Sequence, residues 1–190
     1  MTGNHNKGFT LIEVVIAIAL FSILVAIAAG GFTNALRAQR EISSFIGAES
    51  NASLALEQMA REARTGYLFC HDVNGALSCS TQCALNGTVL TCPDLNFYNA
   101  QTEHVDYSVT NGTLIRTDQG VATAITGDNV VVKYLTFTIF GNQEDDHWNP
   151  RITITMGVSP NSTDPAAASD VVNLQTTVSA REIDCNVSGC

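Results

Sequence analysis

The chain predicts an α+β fold: one long N-terminal helix, its first half apolar enough to span a membrane, packed on a C-terminal antiparallel sheet. Three observations carry this. Residues 10–29 read TLIEVVIAIALFSILVAIAA, 20 residues with a single charge. Helix-forming residues then continue through Arg64, and no proline occurs before Pro93. After Gly66 the apolar period changes to the two-residue alternation of strands.

The apolar stretch matches the roughly 20 residues that a helix needs to cross a bilayer core of about 30 Å. The remainder is water-soluble in character, and 190 residues leave room for one globular domain beside an extended element. A formal charge of −9, from 9 Lys and Arg against 18 Asp and Glu, gives no electrostatic reason to bind phosphate backbones. General nucleic-acid binding is not expected.

Three readings compete for the N-terminus: a cleaved secretory signal, a plain membrane anchor, and a short leader followed by a retained helix. Ala26-Ile27-Ala28 offers signal peptidase an A-x-A site, with Lys7 upstream. The apolar run, however, exceeds the usual 7 to 15 residues of a secretory core, and Glu13 interrupts its start.

Lys7-Gly8-Phe9-Thr10-Leu11-Ile12-Glu13, followed by VVIAIALFSILVAIAA, resembles the prepilin motif of type IV pilins and type II secretion pseudopilins. The resemblance implies that residues 1–8 are a leader removed by a prepilin peptidase. It places cleavage between Gly8 and Phe9, with N-methylation of Phe9, and makes Glu13 the assembly acid at the fifth mature position. It further implies a single-pass protein of the cytoplasmic (inner) membrane, its C-terminal domain extracytoplasmic, which enters a pilus or pseudopilus. Its partners would be other pilin or pseudopilin subunits, the inner-membrane assembly platform and the lipid bilayer. Many major pilins carry a helix-breaking proline in the second half of this segment, where the present chain has Ala29-Gly30-Gly31. Glycines permit bending without compelling it.

The physical logic of Glu13 is separate from the name. An acid at the centre of an apolar span costs about 2.5 to 3.5 kcal/mol on insertion scales, so such a residue usually has a partner. No Lys or Arg lies within one helical turn of it. Cleavage at Gly8 would create an amine on Phe9, with a reference pKa near 8, one turn away. Pairing of Glu13 with the Phe9 amine of a neighbouring subunit is one expectation. Snorkelling of Glu13 to the headgroups is the other.

The helix is expected from Phe9 to about Thr65, with residues 9–32 as the transmembrane and assembly part and 33–65 as its amphipathic continuation. Ala38, Ile42, Phe45, Glu49, Ala52, Leu56, Met59 and Ala63 recur at spacings of four and three, a narrow stripe suited to lying on a sheet. A coiled-coil seam would use similar spacing, but this one is barely four heptads long and contains Glu49. Gly66 is the expected helix stop.

Residues 66–190 read as a disulfide-containing antiparallel sheet domain. Strands are expected at VDYSVT (105–110), TLIRT (113–117), VVVKYLTFTIF (130–140), RITITMGV (151–158) and VVNLQTTVSA (171–180). Asn111-Gly112 joins the first two as a tight hairpin. The VDYSV…LIR hairpin and the late LQTTVSAR strand also resemble minor pilins, including the J-type pseudopilin of type II secretion.

Six cysteines, Cys70, Cys79, Cys83, Cys92, Cys185 and Cys190, follow the apolar segment and so lie on the exported side, where disulfides form. The first four allow three pairings, and a four-cysteine metal site is the alternative. Cys185 and Cys190 suggest a small loop restraining the tail, or a bond from the tail to the upstream cluster. Glu144, Asp145 and Asp146, with His147 and Asn149, form an oxygen-rich loop that is a weak calcium candidate without EF-hand spacing. A solvated hairpin turn carries such acids equally well, and Trp148 in that loop reads equally as a subunit contact. His5, His71, His104 and His147 are scattered and build no catalytic arrangement.

The expected function is therefore non-enzymatic and needs no cofactor: a minor pilin or pseudopilin. A major pilin of the same fold, and a membrane-tethered binding module that never polymerises, are the alternatives.

Overall fold

The computed structural model describes residues 8–70, 78–79, 82–141, 148–162 and 168–181. The helix α1 spans Leu11–Thr65 and runs without interruption through Gly30 and Gly31. By internal contacts the chain forms two units, Met1–Ser43 and Ser44–Cys190. Among its described residues the first contains helix from Leu11 onward and no strand; the second contains the end of α1 and the described strands.

Thr10 starts the helix. Its carbonyl accepts from the Val14 N–H at 3.3 Å, and its hydroxyl accepts from the Glu13 N–H at 3.4 Å, the contact of a threonine N-cap. Further along, Ser22 and Thr33 return their hydroxyls to the carbonyls of Ile18 and Gly30, so their polar atoms are satisfied within the helix. At the other end the expected stop at Gly66 is observed, but for a reason the sequence did not offer. Gly66 has no positive φ; a Cβ there would meet the Phe97 ring 2.5 Å away, so glycine serves close packing.

Within the second unit α1 buries Ala48, Ala52, Ala55, Leu56, Met59 and Ala63. Four of the six are alanines, which let the helix backbone approach the strands closely. The later half of the expected stripe, Ala52, Leu56, Met59 and Ala63, is in the core. Its earlier half is not: Ile42 is 59% exposed and Glu49 is exposed, while Ala48 and Ala55 take the buried positions. The helix thus packs on antiparallel strands in an α+β, pilin-like arrangement.

The strands divide into two sheets. The first contains β1 (Ala84–Asn86), β2 (Val89–Cys92), β7 (Val130–Phe140), β8 (Arg151–Pro160) and β9 (Val172–Ser179), in the order β1-β2-β7-β8-β9. The second contains β3 (Leu95–Tyr98), β4 (His104–Thr110), β5 (Thr113–Asp118) and β6 (Val121–Ala124), in chain order. All neighbours are antiparallel. The sheets meet where β7 contacts β4 and β5.

The five strands expected from alternation all form within a residue or two of the expected bounds. Between β4 and β5, Thr110 pairs with Thr113 across Asn111 (φ 52°) and Gly112 (φ 77°), the two positive values of a type I′ turn. Gly112 is also pressed against β7: its carbonyl accepts from Val132 N–H at 2.7 Å, and a Cβ would lie 2.9 Å from Val131 Cγ1. A second two-residue turn, Gln119 (φ 47°) and Gly120 (φ 85°), joins β5 to β6.

Candidate functional site

The candidate site is the N-terminal segment. From Phe9 to Phe32 its large apolar side chains are uncovered: Phe9 is 82% exposed, Ile18 60% and Phe32 65%. One 18-residue window of α1 has a mean hydropathy of 2.9 with no residue buried, so by length and composition this helix suffices to cross a membrane. Each fully exposed Leu, Ile, Val or Phe forgoes about 1.5 to 3 kcal/mol of burial. A surface of this kind calls for lipid or for other helices around it.

Glu13 stands on this surface as its one acid. It follows Phe9 by four residues, and the two line one shallow groove with Val14, Ala17, Ile18 and Phe21. Thr10-Leu11-Ile12-Glu13 also has the spacing of a capping box, in which the acid sits at the third helical position, a local signal that reading the segment as an assembly motif passes over. The threonine half of that box is formed, through the Glu13 N–H bond to Thr10 Oγ1. An acid in the first turn is further favoured by the positive end of the helix dipole. Gly8 precedes the helix, and a Cβ there would meet nothing within 4 Å. Nothing in the chain's own packing requires glycine at that position.

The second unit carries the cysteines. Cys70 is bonded to Cys79 and Cys83 to Cys92, so of the three pairings open to the four, the sequential one forms. The second bond closes the β1–β2 hairpin from its ends. The first ties the segment after α1 to the strand edge, where Cys70 N–H bonds Asn96 O, and the Asn96 amide bonds the Ser78 carbonyl and hydroxyl. The sulfurs of Cys70, Cys79 and Cys92 all lie within 4.8 Å of one another. As disulfides they present no thiolate, which replaces the four-cysteine metal alternative. Cys185, Cys190, Glu144, Asp145, Asp146 and His147 lie outside the described residues.

Trp148, 63% exposed, meets Phe140 edge-to-face at 6.2 Å, and the Arg151 guanidinium lies 5.1 Å above the same ring. Sequence reading also missed a polar lock on α1. Glu62 Oε2 accepts from Tyr107 Oη at 2.9 Å and from Arg116 Nε at 3.1 Å, while Arg116 reaches Asp118 at 2.9 Å. Burial and the nearby Glu62 charge raise the Tyr107 pKa, keeping its proton available for that bond. The alternation in VDYSVT places Tyr107 inside, but its partner stands 45 residues away in sequence.

Residues 3–29 match the family model of the prokaryotic N-terminal methylation motif. The chain carries a prepilin-type methylation motif. It takes in Gly8, Phe9, Glu13 and the apolar stretch to Ala29, and it supports placement with type IV pilins and pseudopilins. The match ends within α1, so the motif speaks for the N-terminal segment and leaves the strand domain to its own structure. No curated protein and no solved structure matches the chain.

Proposed function

We propose that this chain is a minor pilin or pseudopilin, a structural subunit of a type IV pilus-like filament or a type II secretion pseudopilus. One observation carries the reading: an apolar helix with no cover of its own begins with the methylation motif and bears one acid, four residues after Phe9. Prepilin peptidase removes residues 1–8 and Phe9 becomes the N-methylated terminus. The helix is held in the inner membrane with the strand domain outside, and the assembly platform then moves it into a filament. Among neighbouring helices, Glu13 of one subunit meets the Phe9 ammonium of another. That contact offsets the cost of an acid in an apolar seam and fixes the axial register of the subunits.

The disulfides support an extracytoplasmic location for the second unit, because such bonds persist in oxidising compartments. The minor role rests on the resemblance of the VDYSV…LIR hairpin to minor pilins and on the absence of a proline from residues 9–32.

Intact-mass measurement on protein from native membranes tests processing. The expected mass is that of a chain beginning at Phe9 with one added methyl group. A chain retaining Met1 through Gly8 would favour the tethered binding module and overturn the proposal. Co-assembly of Glu13→Val then tests the register contact, with loss from filaments expected while membrane insertion persists.

A further inference from the structure

Each of the two sheets ends in two edge strands, and among the described residues three of these edges are short or covered. β1 has three residues and β6 four. β3 is covered by the chain that follows α1: Tyr67 bridges Tyr98, and the Cys70 N–H donates to the Asn96 carbonyl at 2.9 Å. The fourth edge, β9, runs for eight residues, pairs with β8 on one side and meets no described strand on the other.

The register fixes which backbone groups that free side offers. The Ala180 N–H donates to the Pro150 carbonyl at 2.8 Å, and the β8–β9 pairing runs on from there without a shift. Hydrogen-bonded pairs alternate along an antiparallel ladder, so Val172, Leu174, Thr176 and Val178 bond to β8. Asn173, Gln175, Thr177 and Ser179 turn their N–H and C=O groups away from it, and no other described backbone meets them.

The strand is held ready for a partner. Tyr134 Oη reaches past Gly157 to donate to Asn173 Oδ1 at 2.7 Å, and the Thr153 and Thr177 hydroxyls share a hydrogen bond of 3.0 Å, bracing β9 against β7 and β8. On the opposite face Val172 and Leu174 are half-buried beside the core. A free edge is commonly blunted by lysine, proline or a bulge. β9 reads VNLQTTVS, with no charge, no proline and no irregularity in its pairing.

The charges stand just outside it. Asp170 precedes the strand and Arg181 follows it; both are exposed, and neither belongs to an ion pair among the described residues. A strand with an acid before it and a base after it complements its own antiparallel copy, which brings Asp170 of each chain to the Arg181 end of the other. A parallel copy sets acid beside acid and base beside base, which is unfavourable.

We propose that β9 docks on β9 of a second copy of this chain, antiparallel about a twofold axis near Thr176, so that the two five-stranded sheets join into one. Gln175 of one copy then lies opposite Thr177 of the other, and Leu174 opposite Val178, so no like charges meet within the strands. The outward backbone groups supply the attraction and the end charges set the direction. The inference rests on β9 and not on the N-terminal motif, so processing at Gly8 neither supports nor weakens it.

The test is amide hydrogen exchange on the full-length chain in detergent micelles, followed as protein concentration rises. The Gln175 and Thr177 amides should slow by about tenfold or more at high concentration, while those of Leu174 and Thr176 stay protected throughout. Gln175→Pro removes an outward N–H that β8 does not use, and should leave Thr177 fast at every concentration. Asp170→Arg and Arg181→Asp should each raise the concentration required by about tenfold, and the double variant should restore it. Should Gln175→Pro fail to fold, read as lost protection at Leu174 and Thr176, the charge reversals carry the test. Thr177 exchange independent of concentration would overturn the proposal, fast because nothing docks or slow because the chain covers its own edge. A double variant no better than the single ones would overturn it as well, since the docked strand would then not be an antiparallel copy.

Discussion

Tyr107 Oη donates to Glu62 Oε2 at 2.9 Å, joining the middle of β4 to the last turns of α1. Tyr107 is fully buried, and Glu62 also holds Arg116, so one carboxylate collects two donors at the edge of the core. Tyr107→Phe removes a hydrogen bond to a charged group and should cost about 1.5 to 3 kcal/mol. Urea unfolding measures this as a lower midpoint with an unchanged slope. The raised pKa of Tyr107 gives the sign of the alkaline effect. The native state holds the phenol proton more tightly, so stability is full below pH 10 and falls as pH rises beyond it. Tyr107→Phe should lose that dependence.

Reduction of the two described disulfides should destabilise the second unit. Each closes a separation of nine residues, and loops of this size yield about 2 to 3 kcal/mol apiece in the chain-entropy account. Denaturation with and without a dithiol reductant reads the sum, and the double variant Cys83→Ser/Cys92→Ser isolates the hairpin bond. No loss in either experiment would remove the disulfides from the stability of the domain.

Gly112→Ala should cost about 1 to 3 kcal/mol, because it combines a residue with φ of 77° and a Cβ 2.9 Å from Val131 Cγ1. Gly120→Ala makes the control: its φ is 85°, but a Cβ there meets nothing within 4 Å. The difference between the two thermal midpoints measures the contact with β7 apart from the turn conformation.

Asp106→Asn should stabilise the chain at neutral pH. Burial and Asp94 raise its carboxyl pKa above 3.8, so the native state binds this proton more tightly than the unfolded one. For a raised acid, stability falls as pH climbs from the ordinary carboxylate value through the native one. The wild type minus variant difference in midpoint, followed from pH 4 to 7, should therefore grow more negative. The Ser108 hydrogen bond and His104 oppose this trend, and a flat difference would show that they cancel it.

What was legible in the sequence follows from the range of each signal. The apolar helix, its end near Thr65, the five strands and the Asn111-Gly112 turn depend on neighbours a few positions apart, and all are present. The strands β1, β2, β3 and β6 were not expected, because runs of three or four residues are too short for alternation to show. In β3 three of four residues are buried, which hides the period altogether. The Gln119-Gly120 turn lacks the usual asparagine or aspartate. The first half of the stripe misled because a helix repeats the same spacing whether or not a sheet lies beside it. The bond between Glu62 and Tyr107 depends on a pairing between distant segments, and no local pattern announces it.

The alanine seam of α1 has a mechanical meaning. A load along the axis of the buried part of this helix acts on the seam in shear, so contacts from Ala48 to Ala63 share the force instead of opening one by one. Glu62 lies fourteen residues beyond Ala48, about 21 Å further along the helix, and there Tyr107 and Arg116 hold it by hydrogen bonds. Both bonds therefore add to the alanine seam near its C-terminal end, the part of the seam furthest along the chain from the apolar segment.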